Sequence, residues 1–236
     1  MSQINYDDQI LAAHQDIQRA IELFVNTGNY PLRVGNAAVR VEGTTDQFII
    51  GSFYSPLSGD KVTQPVVVDF DGNIIQGEFN YSFLEVAPLY IAIFKERPDV
   101  KAAVHTHSTF LTAHSVAHQP LVSSHISLPR FGVIFDIPVA EWSPRFDSSS
   151  ISDLLKKRKD VPAILHANHG PLVFGKSIYD AAKKAIFFEE GAKIQIYANL
   201  LGGAKSLPAG AYEDIQAGLS AELIASFKAK NKVSFH

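Results

Sequence analysis

Asp71-Gly72 stands between two short apolar runs, Val66–Phe70 and Asn73–Gln76. An Asp-Gly pair accepts the positive backbone angles of a two-residue turn, so the flanking runs read as an antiparallel hairpin. A sheet that holds such a hairpin is not wholly parallel, which argues against a doubly wound fold from the outset. Further short strands are expected at Ala37–Glu42 and Gln47–Gly51, on either side of Gly43-Thr44-Thr45, and at Val100–His105, Ala163–Leu165 and Leu172–Phe174. Ile10, Leu11, Ile17, Ile21, Phe24 and Val25 recur at helical spacing over Asp7–Val25, and Asn26-Thr27-Gly28-Asn29 stops the pattern. Glu85–Glu96 reads as a helix with Pro88 in its first turn and Arg97-Pro98 at its end. Thr109–Ala117 is helical in pattern. From His118 to about Asp160 the prolines at 120, 129, 138 and 144 indicate irregular chain. Ile178–Leu201 is the longest helix, with Asp180 in its first turn and Gly202-Gly203 as its stop, and a last helix is expected over Glu213–Lys230. Strands interleave with helices and no linker divides the chain. The expectation is one α/β domain over residues 1–236, with a central mixed or antiparallel β-sheet flanked by helices.

Composition narrows the function. With 236 residues, 46% of them hydrophobic, the chain can bury roughly 70–75% of its unfolded surface. Lys and Arg number 21 against 24 Asp and Glu, without long runs of either sign, so the basic face of a nucleic-acid binder is missing. There is no cysteine, which excludes disulfides, thiolate metal sites and a thiol nucleophile. Any metal must be held by His, Asp or Glu. The opening residues Met1–Ile10 have neither the basic nor the apolar region of a secretory signal, and no apolar run approaches the roughly 18 residues that span a membrane. A cytoplasmic protein without membrane partners is expected.

Nine histidines carry the chemical information. His14, His114, His118 and His236 have no companions in sequence that suggest chemistry, and His125 lies among serines. His105-Thr106-His107 differs from these. On extended backbone, residues i and i+2 point to one face, so both imidazoles can reach one ion from the end of a buried strand. Asn168-His169-Gly170 follows another apolar strand, and the glycine permits a tight turn beside whatever the imidazole touches. The separation of 62 positions from His107 to His169 leaves room for the second strand to return beside the first. His166 can belong either to the core or to a site. Three neutral imidazoles with one open position suit Zn, Fe or Ni.

The block from Glu85 through Arg97-Pro98-Asp99-Val100 to Ala103-Val104-His105-Thr106-His107 closely resembles the class II aldolase/adducin family. Gly35-Asn36 before Val39-Arg40-Val41, Val66–Asn73, Ala167-Asn168-His169-Gly170 and Gly175–Ala192 extend the likeness over about residues 8–203. The resemblance implies a central sheet between helices, usually assembled as a homotetramer with active sites between subunits. It implies one divalent cation per chain, Zn2+ foremost and Mn2+ or Fe2+ as alternatives, on His105, His107 and His169. It also implies a catalytic carboxylate, for which Glu85 is the candidate, and a tyrosine from the neighbour's C-terminal region, for which Tyr212 is nearest.

Departures from the family pattern bear on the substrate. The family carboxylate stands eleven residues before the Arg of Arg-Pro-Asp, whereas Glu85 stands twelve before Arg97 and Val86 holds the strict position. The two serines that bind a sugar phosphate are replaced by Leu84 and Glu85, or by Phe83 and Leu84 if the register shifts by one. The phosphate loop falls near Gly51-Ser52-Phe53-Tyr54, where its pattern is lost. A phosphate dianion needs converging donors or cations, and Phe and Leu supply neither. The expectation is therefore a metal-dependent carbon–carbon lyase, a decarboxylase or retro-aldolase, for a non-phosphorylated hydroxylated carboxylic acid. Arg33, Gly35, Asn36, Phe83 and Leu84 would line its substrate site, and Arg130 is a further carboxylate partner. A sugar-phosphate aldolase or epimerase, a non-catalytic adducin-like protein and oxygen chemistry at iron are the alternatives.

Overall fold

The computed structural model describes residues 4–28, 35–53, 64–78, 81–144 and 147–218. Helix α1 (Tyr6–Asn26) opens the chain, and the Asn5 side chain caps it by accepting from the Asp8 backbone N–H. The hairpin strands β1 (Gly35–Arg40) and β2 (Gln47–Phe53) come next, followed by β3 (Val66–Asp69) and β4 (Ile74–Gln76) around Asp71-Gly72. Gly72 has φ +86°, and the Asp69 carboxylate accepts from the Asp71 and Asn73 backbones, so the turn forms as its residues dictate. Helix α2 (Tyr81–Glu96) leads through Arg97-Pro98-Asp99 into β5 (Ala102–Thr106), and α3 (Thr109–Val116) follows. The remaining elements are β6 (Leu121–Val122), α4 (Ser127–Arg130), β7 (Asp136–Ile137), β8 (Val139–Ala140), α5 (Ser149–Lys157), β9 (Ala163–His166), β10 (Gly170–Gly175), α6 (Ile178–Leu200) and α7 (Ala211–Ala217).

Eight strands form one sheet in the order β4-β3-β2-β1-β5-β10-β9-β8. Every neighbouring pair is antiparallel except β8 with β9. The sheet buries both faces. Ala13, Ile17 and Phe24 of α1 and Ala181, Ala185 and Phe188 of α6 cover one, together with Ala102 and Val104 of β5. Tyr90, Ile93 and Phe94 of α2 and Ile151 and Leu155 of α5 cover the other, together with Ala103 of β5 and Leu172 of β10. The mixed, mainly antiparallel α/β architecture read from the sequence is present.

Three local expectations need correction. Helix α2 begins at Tyr81, so Glu85 lies beyond its first turn and Pro88 lies in its interior. The backbone bond that Pro88 cannot make is offset by burial of Ala87, Leu89, Tyr90, Ile93 and Phe94. Residues 118–160 are not simply irregular: they hold β6 to β8, α4 and α5. Two-residue strands and a four-residue helix are fixed by tertiary contacts and leave no period in the sequence. Helix α7 covers Ala211–Ala217, and the expectation beyond 218 lies outside the described residues, as does His236.

Candidate metal centre

The two central strand pairs bring the histidines together. Asn36 of β1 stands opposite His105 of β5, and Leu172 of β10 flanks His105 on the other side. Because side chains alternate along β5, His105 shares the α2-facing side with Ala103, and His107 follows just past the strand end. The β9–β10 hairpin turns through Ala167-Asn168-His169, with Gly170 paired to His166. Asn168 takes φ +57°, its backbone N–H donates to the Ser115 carbonyl and its Oδ1 accepts from His118 Nε2 at 2.7 Å. A short polar residue tolerates that left-handed geometry. Gly170 is required by close approach: a Cβ there would lie 2.7 Å from the Thr106 carbonyl oxygen and 3.3 Å from the His107 ring.

His105, His107 and His169 each offer a ligand nitrogen, all within 4.8 Å of one another. Ring centroids are 4.8 Å apart for His105–His107, 4.6 Å for His105–His169 and 5.2 Å for His107–His169. His105 is buried while His107 and His169 are half-buried, so the cluster opens toward solvent on one side. The Pro171 carbonyl can only accept, so His105 Nδ1, 2.9 Å away, carries its proton and Nε2 keeps a lone pair. That Nε2 lies 3.1 Å from His107 Nε2. Tetrahedral Zn–N bonds of about 2.0–2.1 Å place neighbouring ligand atoms about 3.3–3.4 Å apart, so this spacing fits two nitrogens on one ion.

Electrostatics agrees with that use. Burial pushes the His105 imidazole well below its ordinary pKa, and the neighbouring His169 and His107 add to the effect. Burial and then His169 lower His107. Burial and then His166 lower His169, partly opposed by the negative charge of Glu85. All three rings are thus held neutral near pH 7, the state in which imidazole binds a cation. The donor set fits a borderline divalent ion and contains no thiolate.

Glu85 therefore acts electrostatically on one member of the cluster. Gly35 and Asn36 lie on the strand beside it, and the Asn36 amide oxygen is held by the buried Tyr90 hydroxyl at 2.6 Å. Burial pushes the Tyr90 phenol up, which keeps it a donor. Arg33 lies outside the described residues. Phe83 and Leu84 lie in α2, but their side chains are outside what is described. Gly51, Ser52 and Phe53 pair with Ala37, Asn36 and Gly35 as part of β2. Tyr212 is half-buried on α7, which packs on α4, and Leu128 of α4 belongs to the opposite face of the sheet from α2. Arg130 is exposed, and His125 bonds Ser127 Oγ at 2.7 Å.

Sequence reasoning missed three neighbours of the cluster, Tyr90, His118 and Ser143, and left His166 open between core and site. His118 has a companion after all, Asn168. Arg97, Pro98 and Asp99 prove architectural: the guanidinium grips both Asp99 oxygens at 2.8 and 2.7 Å and donates to the Val161 carbonyl, tying α2 to the start of β9.

The family profile described as Class II Aldolase and Adducin N-terminal domain matches residues 15–196. The chain belongs to the class II aldolase and adducin family. A 3-oxo-tetronate 4-phosphate decarboxylase of Haemophilus influenzae is 31% identical over 169 residues, covering 68% of this chain and 75% of that protein. An L-ribulose-5-phosphate 4-epimerase of Salmonella paratyphi C is 29% identical and covers 57% of this chain and 62% of its own length. Among solved structures, an L-fuculose 1-phosphate aldolase superposes with a TM-score of 0.75 at 23% identity, covering 95% of this chain and 100% of that one. A putative aldolase/epimerase/decarboxylase from Escherichia coli gives a TM-score of 0.67 at 25% identity, covering 87% and 98%. These structures establish the shared fold.

Proposed function

We propose that this family member is a divalent-metal-dependent enzyme that cleaves a carbon–carbon bond in a small hydroxylated carboxylic acid, with decarboxylation as the favoured reaction. The observation that carries the reading is the convergence of His105, His107 and His169 beside the charge of Glu85. A cation on those nitrogens would supply Lewis-acid stabilisation of charge developing on the substrate oxygen. His105 is oriented for this by the Pro171 carbonyl. In a 3-oxo acid, the bond to the carboxyl carbon breaks to release CO2, and its electron pair passes onto the adjacent carbon and the neighbouring carbonyl oxygen. A proton is then delivered to that carbon through the Glu85 carboxyl group, the proposed acid/base. The decarboxylase relative supports this choice over aldol cleavage.

The substrate proposed is non-phosphorylated, although the names of the curated relatives carry phosphates. Phe83-Leu84-Glu85 supplies no phosphate donor, and the backbone of Gly51–Phe53 is engaged in the β1–β2 ladder. Arg33 is the proposed carboxylate partner. The chain is proposed to form one domain and a homotetramer, with Tyr212 reaching a neighbour's site, since within one chain α7 packs on the far side of the sheet. Exposed Phe135, Trp142, Leu200 and Leu201 support association. No helix among the described residues is long and apolar enough to cross a membrane, and a cytoplasmic location is proposed.

The test is a panel run with Zn2+, Mn2+ and Fe2+ in turn: 3-oxo-tetronate with and without its 4-phosphate, L-ribulose 5-phosphate and L-fuculose 1-phosphate, scored for CO2, aldehyde and epimer. CO2 from the unphosphorylated acid is the expected result. Turnover of phosphosugars alone would overturn the substrate reading.

A further inference from the structure

His166 is a buried polar residue on a strand whose neighbours Ala163, Ile164 and Leu165 are all buried and apolar. Such a group costs stability unless its hydrogen bonds are made, and here their directions follow from the partners. The Asp147 carbonyl only accepts, so the 2.9 Å contact from Ser143 Oγ uses the hydroxyl proton. A lone pair on Ser143 Oγ then faces His166 Nε2 at 3.3 Å, which places the ring proton on Nε2 and leaves Nδ1 bare. His166 Nδ1 in turn faces His169 Nδ1 at 3.3 Å. Two bare lone pairs do not face each other without a proton or a cation between them, and His166 lies outside the three-histidine group, so His169 carries its proton on Nδ1 and presents Nε2 to the cluster.

We propose that His166, anchored by Ser143, is a positioning residue that fixes the tautomer and ring orientation of His169 and thereby the strength of the metal centre. The proposal rests on the reading of His105, His107 and His169 as ligands. It gives His169 the service that the Pro171 carbonyl gives His105, but from a side chain. Outer partners of this kind are typically worth about 10–100-fold in metal affinity.

The experiment compares the full-length protein with His166→Leu, His166→Gln and Ser143→Ala, using Co2+ alone as the probe in chelator-competition titrations, with its d–d absorption as a spectroscopic signature. His166→Leu is expected to weaken Co2+ by about 10–100-fold and to change the d–d bands, while one ion per chain still binds at saturation. In His166→Gln the amide oxygen can accept from His169 and the amide N–H can donate to Ser143, so most of the affinity should return. Ser143→Ala should weaken binding in the same direction and by less. Nitrogen-15 imidazole spectra of metal-free protein should show His169 as the Nδ1–H tautomer in the wild type and as a mixture in His166→Leu. If His166→Leu fails to fold, the other two variants carry the test by their order of affinity. Unchanged affinity and tautomer in the variants overturn the proposal alone. Complete loss of binding in a folded His166→Leu overturns it too, by making His166 a ligand. A wild type that takes up no Co2+ overturns the ligand reading and the proposal with it.

Discussion

Glu189 on α6 and the histidine cluster are both polar groups withdrawn from water, a few residues apart through the chain that follows His107. The Glu189 carboxylate accepts the backbone N–H groups of Phe110 and Leu111 at 2.8 Å each, with the Ser108 hydroxyl as a third partner. It caps α3 from another helix, and burial raises its pKa. Both of its oxygens already have backbone partners. At the cluster, by contrast, His105 Nε2 and His107 Nε2 face each other at 3.1 Å while the outer nitrogen of His105 is tied to backbone. The protein has completed one polar group internally and has prepared the other for something from outside. Burial is common to both, so what separates architecture from chemistry here is where the lone pairs point.

That contrast is sharpest at the proposed ligands. His107→Ala should weaken metal binding beyond the ~10–100-fold typical of an outer partner and abolish turnover with it. Elemental analysis checks this, and full metal occupancy in the triple alanine variant of His105, His107 and His169 would erase the contrast. Glu85→Gln should keep the metal but cost about 10²–10⁴-fold in turnover, because the amide conserves shape and loses the transferable proton. Steady-state kinetics beside metal content separates the two effects, and wild-type turnover would move the acid/base role elsewhere.

On the finished side, Glu189→Gln should lower stability by about 1–3 kcal/mol without changing metal stoichiometry, since the amide N–H2 must face a backbone N–H. For a chain of this size that is about 2–4 °C in Tm per kcal/mol. A variant that keeps its Tm but loses metal would invert the comparison. The smallest effect is in pH. The folded imidazoles of the cluster have lowered pKa values, so their stability contribution is complete above about pH 6.5 and is lost as pH falls through the lowered values. Glu189 has the opposite sign: its raised pKa contributes stability below about pH 4.3, which is lost as pH rises through the folded value. Urea midpoints of chelator-treated protein should therefore fall from pH 7.5 toward 5, and added Zn2+ should steepen the slope. A flat profile would mean that the cluster is not held neutral.

Much of this was legible in the sequence, and the illegible parts share a cause. Helices α1 and α6 carry enough turns to print a 3.6-residue period, and Asp71-Gly72 names its own turn. The clustered histidines are visible because i, i+2 spacing at a strand end puts two imidazoles on one face and Asn168-His169-Gly170 supplies a third at a second strand end. The start of α2 differs because Pro88 suggests a first turn, whereas the helix begins at Tyr81 and holds Pro88 in its interior. The short elements between residues 118 and 160 have no period to print. Tyr90 hides in an apolar helix face, and the role of His166 depends on which nitrogen meets which partner, a property of geometry that composition does not encode.

One consequence of the strand order concerns the time at which this site comes into being. β5 is flanked by β1 and β10, so each central pairing joins segments more than 60 residues apart in sequence. Pairings of that separation close large loops and are the slow, cooperative part of folding. His107 and His169 meet only when β10 docks on β5, and Gly170 against the Thr106 carbonyl leaves no slack for an approximate docking. No local fragment of the nascent chain holds the three-histidine set. Any cation that these residues hold would thus load late, as a reporter of completed assembly and not a seed for it.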